Sequence, residues 1–399
     1  MQEFLMRPMS ILPCSRRLTF IRAENCHLFD TEGKTYLDAF AANGDIVAGH
    51  AEPLIRDAYA NPSEDSSTRL LKELTRLLPG YLSTFQLFKS GVQAVREACE
   101  ISRRYRNKSH IIGISEDATQ NNFLILASSE GDSFTPLFSI DTNFELISHA
   151  GTNPPVIGHK KLSAINTSPR GACLSSFENF FSELTDQTAA IVIEPSAGVG
   201  GAIESCRKFF GMLEEFCLAN GIDLISNETQ CGLGRTGSRL FGFQLLNIHP
   251  NIVCIGPSLA NGYPIGVSVY GEHFSELVEP VIASACSSCS AALATLKIIS
   301  ESNLLRRSEQ LGDFFKAQLL TKIGGHRLVK QIRGLGLMLE IEFENEEAAL
   351  NVHHLSSELG LITGTGNMRH NILRLTPPLV FTSDMVETAC QILADALKS

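Results

Sequence analysis

Surplus positive charge is missing from this chain: 33 lysines and arginines stand against 43 aspartates and glutamates, for a formal net charge of -10 and a pI near 5.6. A polyanion-binding surface needs a basic stripe or patch, so no nucleic-acid or membrane partner is expected. The few basic clusters, such as Arg103 and Arg104 with Arg106 and Lys108, suit a solvated helix end. Apolar runs as long as the about 18 residues of a membrane span are also missing. Between Met1 and Phe20 the apolar residues are interrupted by Glu3, Arg7, Pro8, Pro13, Arg16 and Arg17, which excludes the unbroken core of a secretory signal and leaves a cytoplasmic address as the expectation. The 11 cysteines form no regular framework, a usage that suits a reducing compartment better than a disulfide-stapled domain. The one close pair, Cys286 and Cys289, lacks a second pair at zinc-site spacing and is read as two small residues at a helix start. Internal repeats are missing as well, and the one biased stretch is the Ser-rich, loop-like segment from Asn61 to Ser67.

What is present is a chain of 399 residues, 44% hydrophobic and 19% charged, long enough to bury a large core and to form two domains. Short apolar β-branched runs alternate with longer amphipathic ones, the pattern of strand and crossover helix in an α/β sheet. The candidate buried strands are Ile111 to Ile114, Ala189 to Ile193, Ile222 to Ile225, Ile252 to Ile255 and Val267 to Tyr270. Between the second and third, Phe209, Phe210, Leu213, Phe216 and Cys217 recur at helical spacing. From Ser290 a long helical pattern runs through Leu293, Leu296, Ile299 and Leu304 to about Leu320, and strand signals resume from Arg333 to Phe343. That change of pattern marks a boundary for a smaller C-terminal domain.

Several separate blocks resemble one family. Phe29 to Asp38, Gly49-His50-Ala51-Glu52-Pro53, Ser90-Gly91-Val92-Gln93-Ala94, Glu194-Pro195 and Asn227 to Gly237 occur in the order and spacing of the class III, ornithine-type aminotransferases. Ile252 to Gly266, Arg333 to Leu337 and Arg374 to Leu379 complete the set. The resemblance covers nearly the whole chain. It implies the fold type I architecture: a large α/β domain with a mixed, mostly parallel seven-stranded sheet, plus a smaller α+β domain. Residues 1–50 are then an N-terminal segment packing with the small domain, 51–289 the large domain and 290–399 the small one. The family is normally a homodimer with active sites at the subunit interface.

Departures from the family pattern fall on positions that hold its pyridoxal phosphate. Pro257 stands where the resemblance places the cofactor lysine, and proline has no amine for a Schiff base. Asn227 stands for the aspartate that pairs with the pyridine nitrogen, a charge that a neutral amide cannot supply. Val92 replaces a hydroxyl in the phosphate turn, Val281 the threonine from the neighbouring subunit, Thr119 and Gln120 the stacking aromatic and its histidine, and Val199 a glutamate gate. The interval from Pro53 to Ser90 is also shorter than in the family. Taken together, these changes carry the expectation that no pyridoxal phosphate is used.

The polar groups left in the pocket are the candidate site. Glu228 and Glu194 are candidate general acid or base groups, since enclosed glutamates at strand ends can have raised pKa values. Gln230, Asn227, Thr119 and Gln120 are candidate substrate contacts, and Arg374 a candidate clamp for a substrate carboxylate. Each has a structural alternative: ion pairing or hydrogen bonding for the glutamates, a domain-internal salt bridge for Arg374. Lys89, beside the phosphate turn, is a candidate substitute amine or a solvated cation. Three readings follow. The favoured one is a cofactor-independent enzyme acting on an amino-acid-like ligand by acid–base cyclisation, dehydration, condensation or lyase chemistry. The alternatives are a non-catalytic partner subunit in a homodimer or a mixed dimer with an active aminotransferase, and a residual pyridoxal-phosphate-dependent aminotransferase.

Overall fold

The computed structural model describes residues 18–117, 122–128, 186–195, 203–279, 284–366 and 371–398. Strands β1 (Phe20–Glu24), β2 (His27–Asp30) and β3 (Thr35–Asp38) form an antiparallel N-terminal ribbon. Helices α1 (Pro53–Ala60) and α2 (Ser66–Leu77) lead into β4 (Leu82–Phe88), α3 (Gly91–Arg106), β5 (His110–Asp117) and β6 (Asn122–Ser128). Then come β7 (Thr188–Ile193), α4 (Ile203–Asn220), β8 (Asp223–Asn227), α5 (Gly242–Leu246), β9 (Ile252–Ile255) and β10 (Gly266–Gly271). The C-terminal part comprises α6 (Cys286–Glu301), α7 (Leu304–Ile323), β11 (Val329–Leu335), β12 (Met338–Phe343), α8 (Glu346–Glu358), β13 (Leu361–Ile362), β14 (Gly364–Thr365), β15 (Ile372–Leu375) and α9 (Ser383–Ala396).

The central sheet has seven strands in the order β4-β10-β9-β8-β7-β5-β6. β5, β7, β8 and β9 are joined by parallel pairings, β4 runs in the same sense, and β10 and β6 run against them. Burial explains the composition of its middle: every residue of β7, β8, β9 and β10 is buried, as in sheets covered on both faces, which read as continuous apolar runs. Because β7, β8 and β9 are parallel, their carboxyl ends open on one edge.

β3 pairs in parallel with β13, joining the N-terminal ribbon to the C-terminal region through Leu37–Leu361 and Asp38–Ile362. A second small sheet, β11-β12-β15-β14, lies beside it in sequence and supports α7. The single helical pattern expected from Ser290 to Leu320 is two helices. Asn303 adopts a left-handed conformation (φ 50°) between α6 and α7, which no apolar periodicity reports, since the apolar residues continue in phase across it. Among the described residues no helix is long and apolar enough to cross a membrane, and no group of three His, Cys, Asp or Glu is placed to hold a metal ion.

Candidate functional site

The edge where β7, β8 and β9 end meets the N-terminus of α3, and the approach is very close. A methyl group on Gly91 would lie 2.7 Å from Thr229 Cγ2 and 3.0 Å from Gly256 Cα; one on Gly256 would lie 2.9 Å from Thr229 Cβ. Glycine at both places lets the helix start, the residue after β9 and the turn after β8 share one small volume. Ser90 caps α3, its Oγ accepting from the Gln93 amide at 3.3 Å, while Gln93 Oε1 accepts from the Lys89 amide at 3.1 Å. Val92 is half-buried in that first turn, and the Lys89 side chain is exposed.

Asn227 closes β8 and is 1% exposed. Its Oδ1 accepts from Thr229 Oγ1 at 2.7 Å and from the Thr229 amide at 3.2 Å, and its Nδ2 donates to Glu194 Oε1 at 3.4 Å. Glu194, half-buried just beyond β7, is thereby joined to Asn227 across neighbouring strand ends. Gln230 is buried beside them in sequence, and its side chain makes no hydrogen bond among the described residues. Thr119, Gln120, Val199 and Val281 lie outside the described residues.

Glu228 has a different role from the one its position in the motif suggests. It is fully buried, and its two oxygens accept four hydrogen bonds: from Ser226 Oγ (3.0 Å) and the Phe243 amide (2.8 Å) at Oε1, and from Cys231 Sγ (3.2 Å) and the Gly242 amide (2.8 Å) at Oε2. A carboxylate has about four lone-pair sites, so none remains for a substrate proton. Burial pushes the Glu228 pKa up more strongly than these donors pull it down. The side chain anchors the first turn of α5 to the end of β8.

Pro257 opens the 3-10 turn 257–260 that follows β9, a position for which its fixed φ and missing N–H are well suited. That turn ends on Asn261, whose Oδ1 accepts from the Val47 and Ala48 amides at 2.7 and 2.8 Å and whose Nδ2 donates to Gly49 O at 2.9 Å. The wall opposite it is strained. Ala41, Ala42 and Asn43 have φ of 48°, 53° and 62°, followed by Gly44 at 90°, and left-handed non-glycine residues cost about 1–2 kcal/mol each. The turn is held by Asp38 Oδ1, which accepts from the Phe40 and Ala41 amides, by Thr376 Oγ1 donating to Phe40 O, and by Arg235 Nη2 donating to Gly44 O. His50 Nε2 lies 2.6 Å from Asp38 Oδ2 and fixes that carboxylate from the other side. Asp45 follows the turn, 8% exposed, with Oδ1 unpartnered. Burial pushes its pKa up to about 8, against the pull of Arg235. Sequence reasoning missed Asp45, Asn261 and the left-handed run; the Asn43-Gly44 pair was the one legible turn signal.

Arg374 lies on β15 and faces Glu340 in cross-strand register, with Nε donating to Glu340 Oε1 at 3.0 Å. Arg333 joins the same carboxylate through Nε and Nη2 and reaches Glu342 through Nη1. Burial would raise the Glu340 pKa, but Arg374 and Arg333 outweigh it and hold it below the ordinary value.

Comparison with known proteins gives this geometry its context. The family model described as "Aminotransferase class-III" matches residues 14–397. The acetylornithine aminotransferase of Methanothermobacter thermautotrophicus is 28% identical over 393 residues, covering 93% of this chain and 91% of its own. Among solved structures, a Bacillus anthracis aminotransferase has a TM-score of 0.76 at 23% identity, over 98% of this chain and 95% of its own. The Toxoplasma gondii ornithine aminotransferase, described with partial occupancy of pyridoxal phosphate at its active site, has a TM-score of 0.75 at 21% identity, over 96% and 92%. The fold is the type I aminotransferase-like α/β architecture. The expected cofactor-independent acid–base enzyme is corrected by these findings: the relatives, over nearly the full length, are aminotransferases. The expectation of no cofactor falls with it. The physical flaw lies in the acid–base step assigned to Glu228, whose lone pairs are already taken within the fold.

Proposed function

Since the chain belongs to the class III aminotransferases, we propose that it serves amino-group transfer on amino acids of the acetylornithine–ornithine type, with pyridoxal phosphate as cofactor and a second copy of the chain as its partner. The observation that carries this reading is the family match from residue 14 to residue 397, with relatives named for that reaction over 93–95% of the chain. When bound, the cofactor supplies an electron sink for the substrate's α-carbon.

The side chains at the strand ends do not fit a covalently held cofactor of the family type. Pro257 offers no amine, and the Asn227 amide is neutral and directed to Thr229 and Glu194. What the chain's own residues support is binding: the buried Gln230 amide and the half-buried Glu194 carboxylate provide polar contacts, and Lys89 before α3 is the amine nearest in sequence to the phosphate turn. Arg374 remains a candidate carboxylate contact through its guanidinium Nη atoms, with Nε held by Glu340.

The test is a titration of the purified chain with pyridoxal phosphate, followed by visible absorbance and thermal shift, and an amino-transfer assay with acetylornithine and 2-oxoglutarate. A saturable absorbance change with transfer supports the reading, and its loss in Lys89→Ala assigns that amine. Absence of absorbance change, thermal shift and transfer overturns it. Pro257 favours one second reading, a non-catalytic subunit paired with an active aminotransferase chain, which predicts co-purification with that chain when both are expressed together.

A further inference from the structure

Cys286-Ser287-Ser288-Cys289 forms the first turn of α6, a helix of 16 residues. Its N-cap is Ala285, which has no side-chain oxygen to cap the turn, and no acidic residue lies in the turn. The amide donors at this end therefore meet no protein carboxylate or hydroxyl from the cap position. Helical geometry places Cα atoms three residues apart at about 5 Å, inside the roughly 4.4–6.8 Å that a disulfide spans. Because Cβ bonds tilt toward the helix N-terminus, the Cys289 side chain leans over Cys286.

The two thiols differ in access. Cys286 is exposed, whereas Cys26, Cys99, Cys217, Cys231, Cys254, Cys289 and Cys390 are buried. Cys289 is 0% exposed and sits directly behind it. An accessible first cysteine with a buried second one three residues on is the arrangement in which one sulfur takes up an oxidant and the other resolves it.

We propose that Cys286 and Cys289 are a redox modification site, closing a reversible disulfide within the first turn of α6 in response to a low-molecular-weight disulfide. The Cys286 thiolate attacks one sulfur of oxidised glutathione, forming a mixed disulfide and releasing one glutathione thiolate. Cys289 then gives its proton to solvent and attacks Cys286 Sγ, forming the protein disulfide and releasing the second glutathione. Two protein thiols lose two electrons and two protons, and one glutathione disulfide is reduced to two thiols. Burial holds the Cys289 thiol up at about 11, which makes ring closure the slow step.

The site is tied to its surroundings. Ser66 Oγ donates to Cys286 O at 2.9 Å, and the Ser63 amide donates to Ser290 Oγ at 3.3 Å, so this turn holds the loop that opens α2. The 3-10 turn beginning at Pro257 also packs on α6.

The experiment exposes the folded, full-length protein to oxidised glutathione, alkylates the remaining thiols and maps the peptides by mass spectrometry. The wild type is expected to lose both free thiols to a Cys286–Cys289 linkage that dithiothreitol reverses. Cys289→Ser should stop at a glutathione adduct on Cys286, and Cys286→Ser should leave Cys289 unmodified. A wild-type protein in which both thiols stay alkylatable, or in which the Cys286 adduct persists without closure, overturns the proposal, and it does so without relying on the folding of either variant.

Discussion

Asp45 shows at the scale of one residue how burial without a partner becomes a pH dependence. Its carboxyl is 8% exposed, Oδ1 has no hydrogen-bond partner, and its pKa rises from 3.8 to about 8. Between those values the folded chain keeps the proton and the unfolded chain releases it. Unfolding therefore sheds a proton, and the stability contributed by the neutral form, fully present below the unfolded value, is lost as pH rises toward 8. The slope is about 1.4 kcal/mol per pH unit, so urea unfolding should find the wild type about 2 kcal/mol less stable at about pH 8 than at about pH 6 from this group. Asp45→Asn should remove that part of the slope. Equal slopes in both proteins would mean that Asp45 is already ionised in the fold. Nothing in the sequence pointed to this residue, because its cost arises from burial, which Arg235 offsets only in part while its guanidinium donates to the carbonyls of Gly44, Pro377 and Leu337. Glu228 illustrates the opposite limit. It follows β8 directly, but the amides of Gly242 and Phe243 that saturate it arrive from 14 and 15 residues downstream, and no local pattern announces that return.

Elements were more legible than side-chain roles, since a strand or helix is written in many residues. The five apolar runs read from the sequence correspond to β5, β7, β8, β9 and β10, and β7 to β10 are buried throughout. β4 escaped because Ser83, Thr84 and Gln86 dilute its apolar signal, although Gln86 is buried and accepts the Tyr270 hydroxyl across the strand pair at 2.6 Å. Contacts between elements are harder still, and Gly266 is a case. It opens β10, and a methyl group there would overlap the carbonyl of Ser90 and lie 2.9 Å from the Gly91 amide. Both are backbone atoms, which cannot turn aside as a side chain can. Gly266→Ala should therefore force β10 and the start of α3 apart and cost at least about 2 kcal/mol, near the upper part of the range for overpacking. Gly211→Ala in α4 is the control: nothing lies within 4 Å of its added methyl, so a helical alanine there should be neutral or stabilising by up to about 1 kcal/mol. Chemical denaturation of both variants checks the pair, and similar stabilities would show that the α3–β10 contact can yield.

For the whole molecule, the fold was legible because its motifs are distributed from one end of the chain to the other and because the N-terminal ribbon is completed by β13, more than 300 residues later in sequence, through Leu37–Leu361. Assembly has no comparable local signal, and net charge is the property that bears on it. Each chain carries -10, so a pair of identical copies must bring like charges into one particle. That repulsion acts over a screening length of about 10 Å at ~0.1 M salt and about 3 Å at ~1 M. The proposed homodimer should therefore tighten as salt rises, since the repulsion is screened while apolar burial between the copies is not. Sedimentation velocity over a dilution series at ~0.05 M and ~0.5 M sodium chloride is the measurement, with a lower dissociation constant expected at the higher salt. Weakening at high salt would show that opposite charges are paired across the interface and dominate the overall repulsion. A monomer at every concentration and both salts would remove the second copy from the proposed function and leave the pairing with a different aminotransferase chain to be tested by co-expression.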